Sequence, residues 1–232
     1  MASGKAKFFT RLLKFQHMEF DSALQQLAWA IVSPKKLYRH HEAQYKTRES
    51  WSRDDPAFLV CICGFLLAST LGYTIFLRLG IIGFFLTCLW TILVDCIITG
   101  LIVASLLWLL TNNFLMKPNS REKVQWSYCF DVHLNSFVPL GLLVFGLQMP
   151  LIGVLQHRTL LWTIVANIMW VCALSSYIYS TFLGYSVMSQ LRNTVILLFP
   201  VLLFLTVGVA SIPLKWNCST IFAAYLRSRI GQ

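Results

Sequence analysis

Charge is scarce in this chain, and acid scarcer still. Asp, Glu, Lys and Arg make up 12% of its 232 residues, and nine acidic groups stand against 19 basic ones. With 57% apolar residues beside it, so little charge excludes a soluble domain of this size and points to a polytopic membrane protein. Near Met1 no apolar stretch of the kind that marks a cleaved signal peptide occurs. "MASGKAKFF" is basic, so the first span is expected to act as the anchor and to leave the N-terminus in the cytosol.

Catalytic signatures are missing too. There is no H-E-x-x-H pair of zinc ligands, no nucleophile, base and orienter set of a serine hydrolase, and no Asp-His-His-Cys string of the palmitoyl transferases. Five of the seven cysteines, Cys61, Cys63, Cys88, Cys96 and Cys172, fall inside apolar runs, where a thiol acts as a small core residue. Cys61 and Cys63 would point to opposite sides of a helix, so neither a disulfide framework nor a zinc site is expected, and no cofactor.

The chain contains long apolar runs, 57–77, 81–110, 137–155, 160–187 and 194–214, each able to cross about 30 Å of hydrocarbon at 1.5 Å per residue. The expected fold is therefore all-α, with five transmembrane helices over 57–214, a cytosolic segment 1–56 and a short lumenal tail 215–232. The second run is too long for one upright helix and must tilt, protrude or break. On this topology 14 Lys and Arg lie on the cytosolic side and five on the other, as the positive-inside rule requires. A lumenal tail would display the sequon Asn217-Cys218-Ser219, a three-residue match common by chance and close to the membrane.

The first 56 residues divide in two. In "KAKFFTRLLKF" the apolar residues recur with helical period while Lys5, Lys7, Arg11 and Lys14 fill the remaining surface. That pattern is a basic amphipathic helix suited to an anionic leaflet, or to packing on the protein's own spans. "DSALQQLAWAIVSP" reads as a second helix, with Ser22 and Gln25 as a capping box and Pro34 as its stop. The next stretch, "KKLYRHHEAQYKTRESW", mixes basic groups with Tyr38, Tyr45 and Trp51. Without a nucleic-acid motif it reads as a solvated linker or a partner surface rather than an RNA site.

Three polar features invite a functional reading. In "RDDPAF" Asp55 precedes Pro56 as an N-cap would, and Arg53 and Asp54 remain for each other or for a partner. Asp95 stands in the middle of the second run, on a stripe with Thr87, Thr91 and Thr99. A carboxylate at that depth must be paired, and Asn167 of the fourth run is the nearest buried amide, so interhelical glue is favoured over a proton path. In "WSYCFDVHLNSF" a helix puts Asp131 and Asn135 on one face and turns His133 away, favouring a structural role over a catalytic pair, with Asp131 as a cap or bonded to Asn135 and Trp126 as an interface anchor.

"RDDPAF", "W-x-Y-x-F-D-V-H-x-N-S-F" and "TFLGYS" followed by "LRNTVILLFP" together resemble the uncoordinated-50 family of Golgi membrane proteins, in the same order and over nearly the whole chain. The resemblance implies five spans, a cytosolic N-terminus, Golgi residence and a non-enzymatic role in vesicle traffic. It also implies docking of large Arf guanine-nucleotide exchange factors and support for surface delivery of nicotinic acetylcholine receptors. RNA binding, attributed to the family, would have its seat in the basic N-terminal segment. On that reading Arg53, Asp54, Asp55, Trp126, Asp131, His133 and Asn135 belong to a cytosolic docking face, and membrane lipids contact Lys5, Lys7, Arg11 and Lys14. The competing reading is a small transporter, scramblase or lipid-modifying enzyme that uses Asp95, Asp131 and His133.

Overall fold

The computed structural model describes residues 18–48, 51, 53, 55–118, 120, 122–157 and 159–230. The amphipathic segment with Lys5, Lys7, Arg11 and Lys14 lies outside these residues, as does Asp54. Among these residues eight helical elements follow in order: α1 Phe20–Val32, α2 Pro34–Arg48, α3 Ala57–Leu77, α4 Gly80–Leu115, α5 Trp126–Leu155, α6 Leu160–Ser186, α7 Thr194–Ser211 and α8 Cys218–Ser228. Among the described residues no strand forms, apart from one isolated antiparallel bridge between Met116 and Leu191. Five of the helices, α3 to α7, are long and apolar enough to cross a membrane.

The long second run neither breaks nor ends early. It continues as one helical span of 36 residues that widens into π-helix at Thr91–Ile98 and Thr111–Leu115. A third π-helical stretch, Leu142–Leu147, follows Pro139 in α5. Each widened turn removes regular i to i−4 pairing and leaves carbonyls for other donors. At Leu142–Leu147 those donors come from α3: the Tyr73 hydroxyl donates to the Val144 carbonyl at 2.5 Å, and the Ser69 hydroxyl donates to the carbonyl of Phe145. At Thr91–Ile98, His133 of α5 supplies one.

α5 is the central helix, with a nearly unbroken buried run from Val132 to Val138. It begins at Trp126, eleven residues before the apolar run suggested, because Asp131, His133 and Asn135 are accommodated by neighbours and the helix need not stop at them. α4 and α6 pack along it, while α7 is peripheral and buries little beyond Leu197 and Ser211.

Among the described residues before the spans, two helices pack together, and most of the stretch read as a solvated linker or a partner surface is α2. Pro34 does end α1, and then starts α2 as its first residue, where a missing N–H costs nothing. α1 begins earlier than the expected capping box: Glu19 is its N-cap, and the Ser22 hydroxyl accepts from Gln26 Nε2 at 3.2 Å. α1 lies against α3 and α5 through Ala23, Gln26 and Ala30, and α2 lies against α6.

Within 215–232, expected to be a short tail, Cys218–Ser228 folds into the bundle as α8. Asn217 caps it, accepting from the Thr220 N–H at 3.0 Å while its amide donates to the Leu155 carbonyl at 2.8 Å. Asn217 is buried with both ends of its amide engaged, so a glycan there would have to displace the cap. Phe222, Ala223 and Leu226 are the buried face of α8, with Phe222 edge-on to Tyr73 and Phe145.

Candidate functional site

Arg53 is the centre of the most connected polar site. It lies between α2 and α3, with its side chain 9% exposed. Its backbone N–H donates to Asp131 Oδ2 at 2.7 Å, Nε donates to Gln26 Oε1 at 2.9 Å, and Nη2 donates to Asn135 Oδ1 at 2.5 Å and to His41 Nε2 at 3.2 Å. The guanidinium carbon also stands over Phe58, 3.8 Å from the ring centroid, and Asp131 Oδ1 stands 4.0 Å from Nη1. One fork thus ties α1, α2, α3 and α5 together, a task suited to the five planar donors of arginine.

The Asp131 to Asn135 bond expected from helical spacing does not form. Both side chains turn instead to Arg53, which contact patterns within one helix cannot reveal. His41 accepts from the guanidinium and is therefore neutral. Burial lowers its pKa well below the usual 6.5, and the charge of Arg53 lowers it further. Burial lowers the pKa of Arg53 itself, with Asp131 opposing the shift, and burial raises the Tyr38 phenol to about 12.

Asp55 caps two helices, reaching α3 from one residue outside it, since the N-cap is Pro56 and not Asp55 as expected. Its Oδ1 accepts from the Ala57 N–H at 3.0 Å at the start of α3, and its Oδ2 accepts from the Glu19 N–H at 2.7 Å at the start of α1. One carboxylate therefore meets the positive ends of two helix dipoles and fixes their N-termini side by side. A small cleft lined by Ser22, Gln26, Gln44, Arg53 and Asp55 opens here.

An aromatic ladder continues the site sideways. Tyr45 stacks on Trp51 at 4.2 Å, Trp51 meets the edge of Tyr128 at 5.4 Å, and Tyr128 meets Tyr185 of α6 at 6.3 Å. Tyr45 donates to Glu122 Oε2 at 2.7 Å and Tyr128 to the Gly184 carbonyl at 2.6 Å. The ring faces of Tyr45 and Trp51 are thus engaged within the chain. Sequence reasoning missed this ladder because its members sit on separated segments.

The remaining loops close the same end. The Lys117 N–H donates to the Gln190 carbonyl at 3.0 Å and the Arg192 N–H to the Leu115 carbonyl at 2.8 Å, so the stretches after α4 and after α6 pair. Lys35, Lys36, Arg39, Lys117, Lys123 and Arg192 are exposed around this end. Trp126 is half-exposed beside them, stacked on Phe130, with its indole N–H donating to the Ser105 hydroxyl at 3.0 Å.

His133 and Asn135 are buried, at 2% and 1% exposure, and cannot present themselves to a partner directly. His133 Nδ1 is 2.7 Å from the Tyr177 hydroxyl and Nε2 is 3.1 Å from the Cys96 carbonyl in the π-helical turn. A carbonyl only accepts, so Nε2 carries the proton and Nδ1 accepts from Tyr177. Gly100 makes room for this contact, since a Cβ there would stand 2.5 Å from His133 Cδ2.

Asp95 is paired, but not with Asn167. Its carboxylate receives Arg229 Nη2 at 2.7 and 2.8 Å and the Tyr225 hydroxyl at 2.7 Å, from α8 and the turn that ends it. Asn167 instead fastens the other end of α8, donating to the Ser211 hydroxyl and the Trp216 carbonyl and accepting from the Cys218 N–H. Asp95, Asp131 and His133 therefore belong to three separate contacts and do not assemble into one site. Among the described residues no group of three or more His, Cys, Asp or Glu could hold a metal ion.

A family profile described as the UNC-50 family matches residues 8–227. Similar proteins include a protein unc-50 homolog of Danio rerio, 40% identical over 97% of this chain and 88% of its own length, and that of Homo sapiens, 38% identical over 97% and 87%. Protein unc-50 of Caenorhabditis elegans is 35% identical over 97% of this chain and 74% of its own. No solved structure matches. The Arg53 node and the Asp55 double cap are built from the "RDDPAF" and "WSYCFDVHLNSF" stretches that first suggested the resemblance, and the match runs through every span: the chain belongs to the UNC-50 family.

Proposed function

We propose that this protein is a non-enzymatic adaptor of the Golgi membrane, with its N-terminus in the cytosol. It recruits large Arf guanine-nucleotide exchange factors and supports delivery of membrane receptors of the nicotinic acetylcholine type. One observation carries the reading: α1 and α2, the stretch after α4 and the stretch after α6, far apart in sequence, are tied into one basic surface at one end of the bundle. A platform of that kind offers a partner fixed geometry and long-range attraction for acidic groups. Arg53, Asp55, Asp131 and Asn135 act within it as positioning residues that hold the platform in shape, while Trp126 and the exposed basic groups meet the partner and the headgroups.

The transporter or enzyme reading has less support, since Asp95, Asp131 and His133 are held apart and neither the cleft at Arg53 nor the apolar one beneath Leu27 and Ile31 is lined by Asp95. Golgi recruitment of an Arf exchange factor, imaged in cells whose own copy is replaced, tests the proposal. Arg39→Glu, Lys123→Glu and Arg192→Glu combined should release the factor to the cytosol with the adaptor still in the Golgi. Retention of the factor would defeat it.

A further inference from the structure

The ion pair between Asp95 and Arg229 lies on the flank of the bundle. Asp95 is 16% exposed, and Trp90 and Tyr225, whose rings both stand near the Arg229 guanidinium, are each 42% exposed. The carboxylate sits in the π-helical turn Thr91–Ile98, a widened geometry often found where a side chain must be aimed at a ligand. Its occupant is the Arg229 guanidinium, whose Nη2 donates to both oxygens of the carboxylate while the guanidinium stands 3.8 Å from the Tyr225 ring centroid and 5.7 Å from that of Trp90. α4 thus supplies the parts of an arginine receptor within a span: the Asp95 carboxylate, the Thr91 hydroxyl, which accepts from Arg229 Nη1 at 3.3 Å, and the Trp90 ring.

α8 fills that receptor incompletely. Arg229 Nε is buried without a hydrogen-bond partner, as is the hydroxyl of Thr87 two turns below Asp95, and α8 itself is half on the surface, with Ile221 and Tyr225 exposed. A membrane protein that brought its own arginine to this flank would find the same carboxylate, and a charge at that depth gains more from pairing than from lipid.

We propose that Asp95, with Trp90 and Thr91, forms a lateral docking site for a transmembrane segment carrying a basic residue, and that α8 occupies it through Arg229 as an exchangeable stand-in. Client binding and α8 seating then exclude one another. The inference rests on the cargo half of the proposed function, and supplies the chemistry by which cargo is recognised inside the membrane.

The test uses the full chain in nanodiscs and a Leu/Ala transmembrane peptide with one central Arg and a photoreactive residue, beside the same peptide with Leu in place of Arg. Arg229→Gln should raise capture of the Arg peptide about tenfold over the unaltered chain. Adding Asp95→Asn should return capture to the level of the Leu peptide. Should Arg229→Gln fail to fold, Tyr225→Phe, which removes one hydrogen bond and leaves the ion pair, should give the same ranking at smaller amplitude. Equal capture of both peptides, or capture indifferent to Asp95, would overturn the inference. No exchange factor takes part, so that failure would leave the recruitment proposal standing.

Discussion

Replacing Arg53 by lysine keeps the charge and loses the fork. Lysine cannot reach Gln26, Asn135 and His41 at once or place a guanidinium over Phe58, so Arg53→Lys should cost about 2 kcal/mol, read as a lower unfolding temperature in nanodiscs. His41 adds a pH dependence. An unfolded histidine takes a proton near pH 6.5 and buried His41 only well below it, so between those values the unfolded state binds more protons. Stability should therefore fall as pH drops below about 6.5, by at most ~1.4 kcal/mol per unit, and His41→Gln should flatten the profile. His133→Gln should be milder than His133→Ala, because glutamine can still donate to the Cys96 carbonyl while alanine leaves both that carbonyl and the Tyr177 hydroxyl unpaired. The Asp55 cap was legible in the sequence, since a carboxylate before proline at a span entrance has one obvious use. The partners of Asp131, His133 and Asp95 were not, because each lies 37 or more residues away and nothing local encodes the distance.

Among elements, α5 holds the bundle together and its neighbours are shaped to it. Gly100 of α4 sits against the His133 ring, with Phe130 3.1 Å from the same point, so Gly100→Ala must push a buried imidazole off its two hydrogen bonds. A loss of about 1–3 kcal/mol is expected, comparable to His133→Ala and not additive with it, which a double-mutant cycle of unfolding temperatures would measure. The spans could be read from apolar runs because hydrocarbon thickness sets a minimum length that composition reveals. Their π-helical turns could not, since at Thr91–Ile98 and Leu142–Leu147 freed carbonyls are met by side chains on another helix. α8 was missed for a related reason: a short stretch with Tyr225, Arg227 and Arg229 looks like a polar tail until Asp95 supplies the partner that permits burial.

For the whole molecule, an odd number of spans places the N-terminal helices and the turn after α7 on opposite sides of the membrane. With the N-terminus in the cytosol, as proposed, tags in sealed Golgi vesicles should be digested at the N-terminus and protected at the C-terminus. The central claim is that the end built from α1, α2 and the two paired loops is a docking platform for an Arf exchange factor. Its most direct test is equilibrium binding of a purified exchange factor to the protein in nanodiscs of fixed lipid composition. The unaltered chain should bind, and the variant carrying Arg39→Glu, Lys123→Glu and Arg192→Glu should bind at least about tenfold more weakly at an unchanged unfolding temperature, with the difference shrinking as salt rises. Equal binding by the two, at every salt concentration, would contradict it.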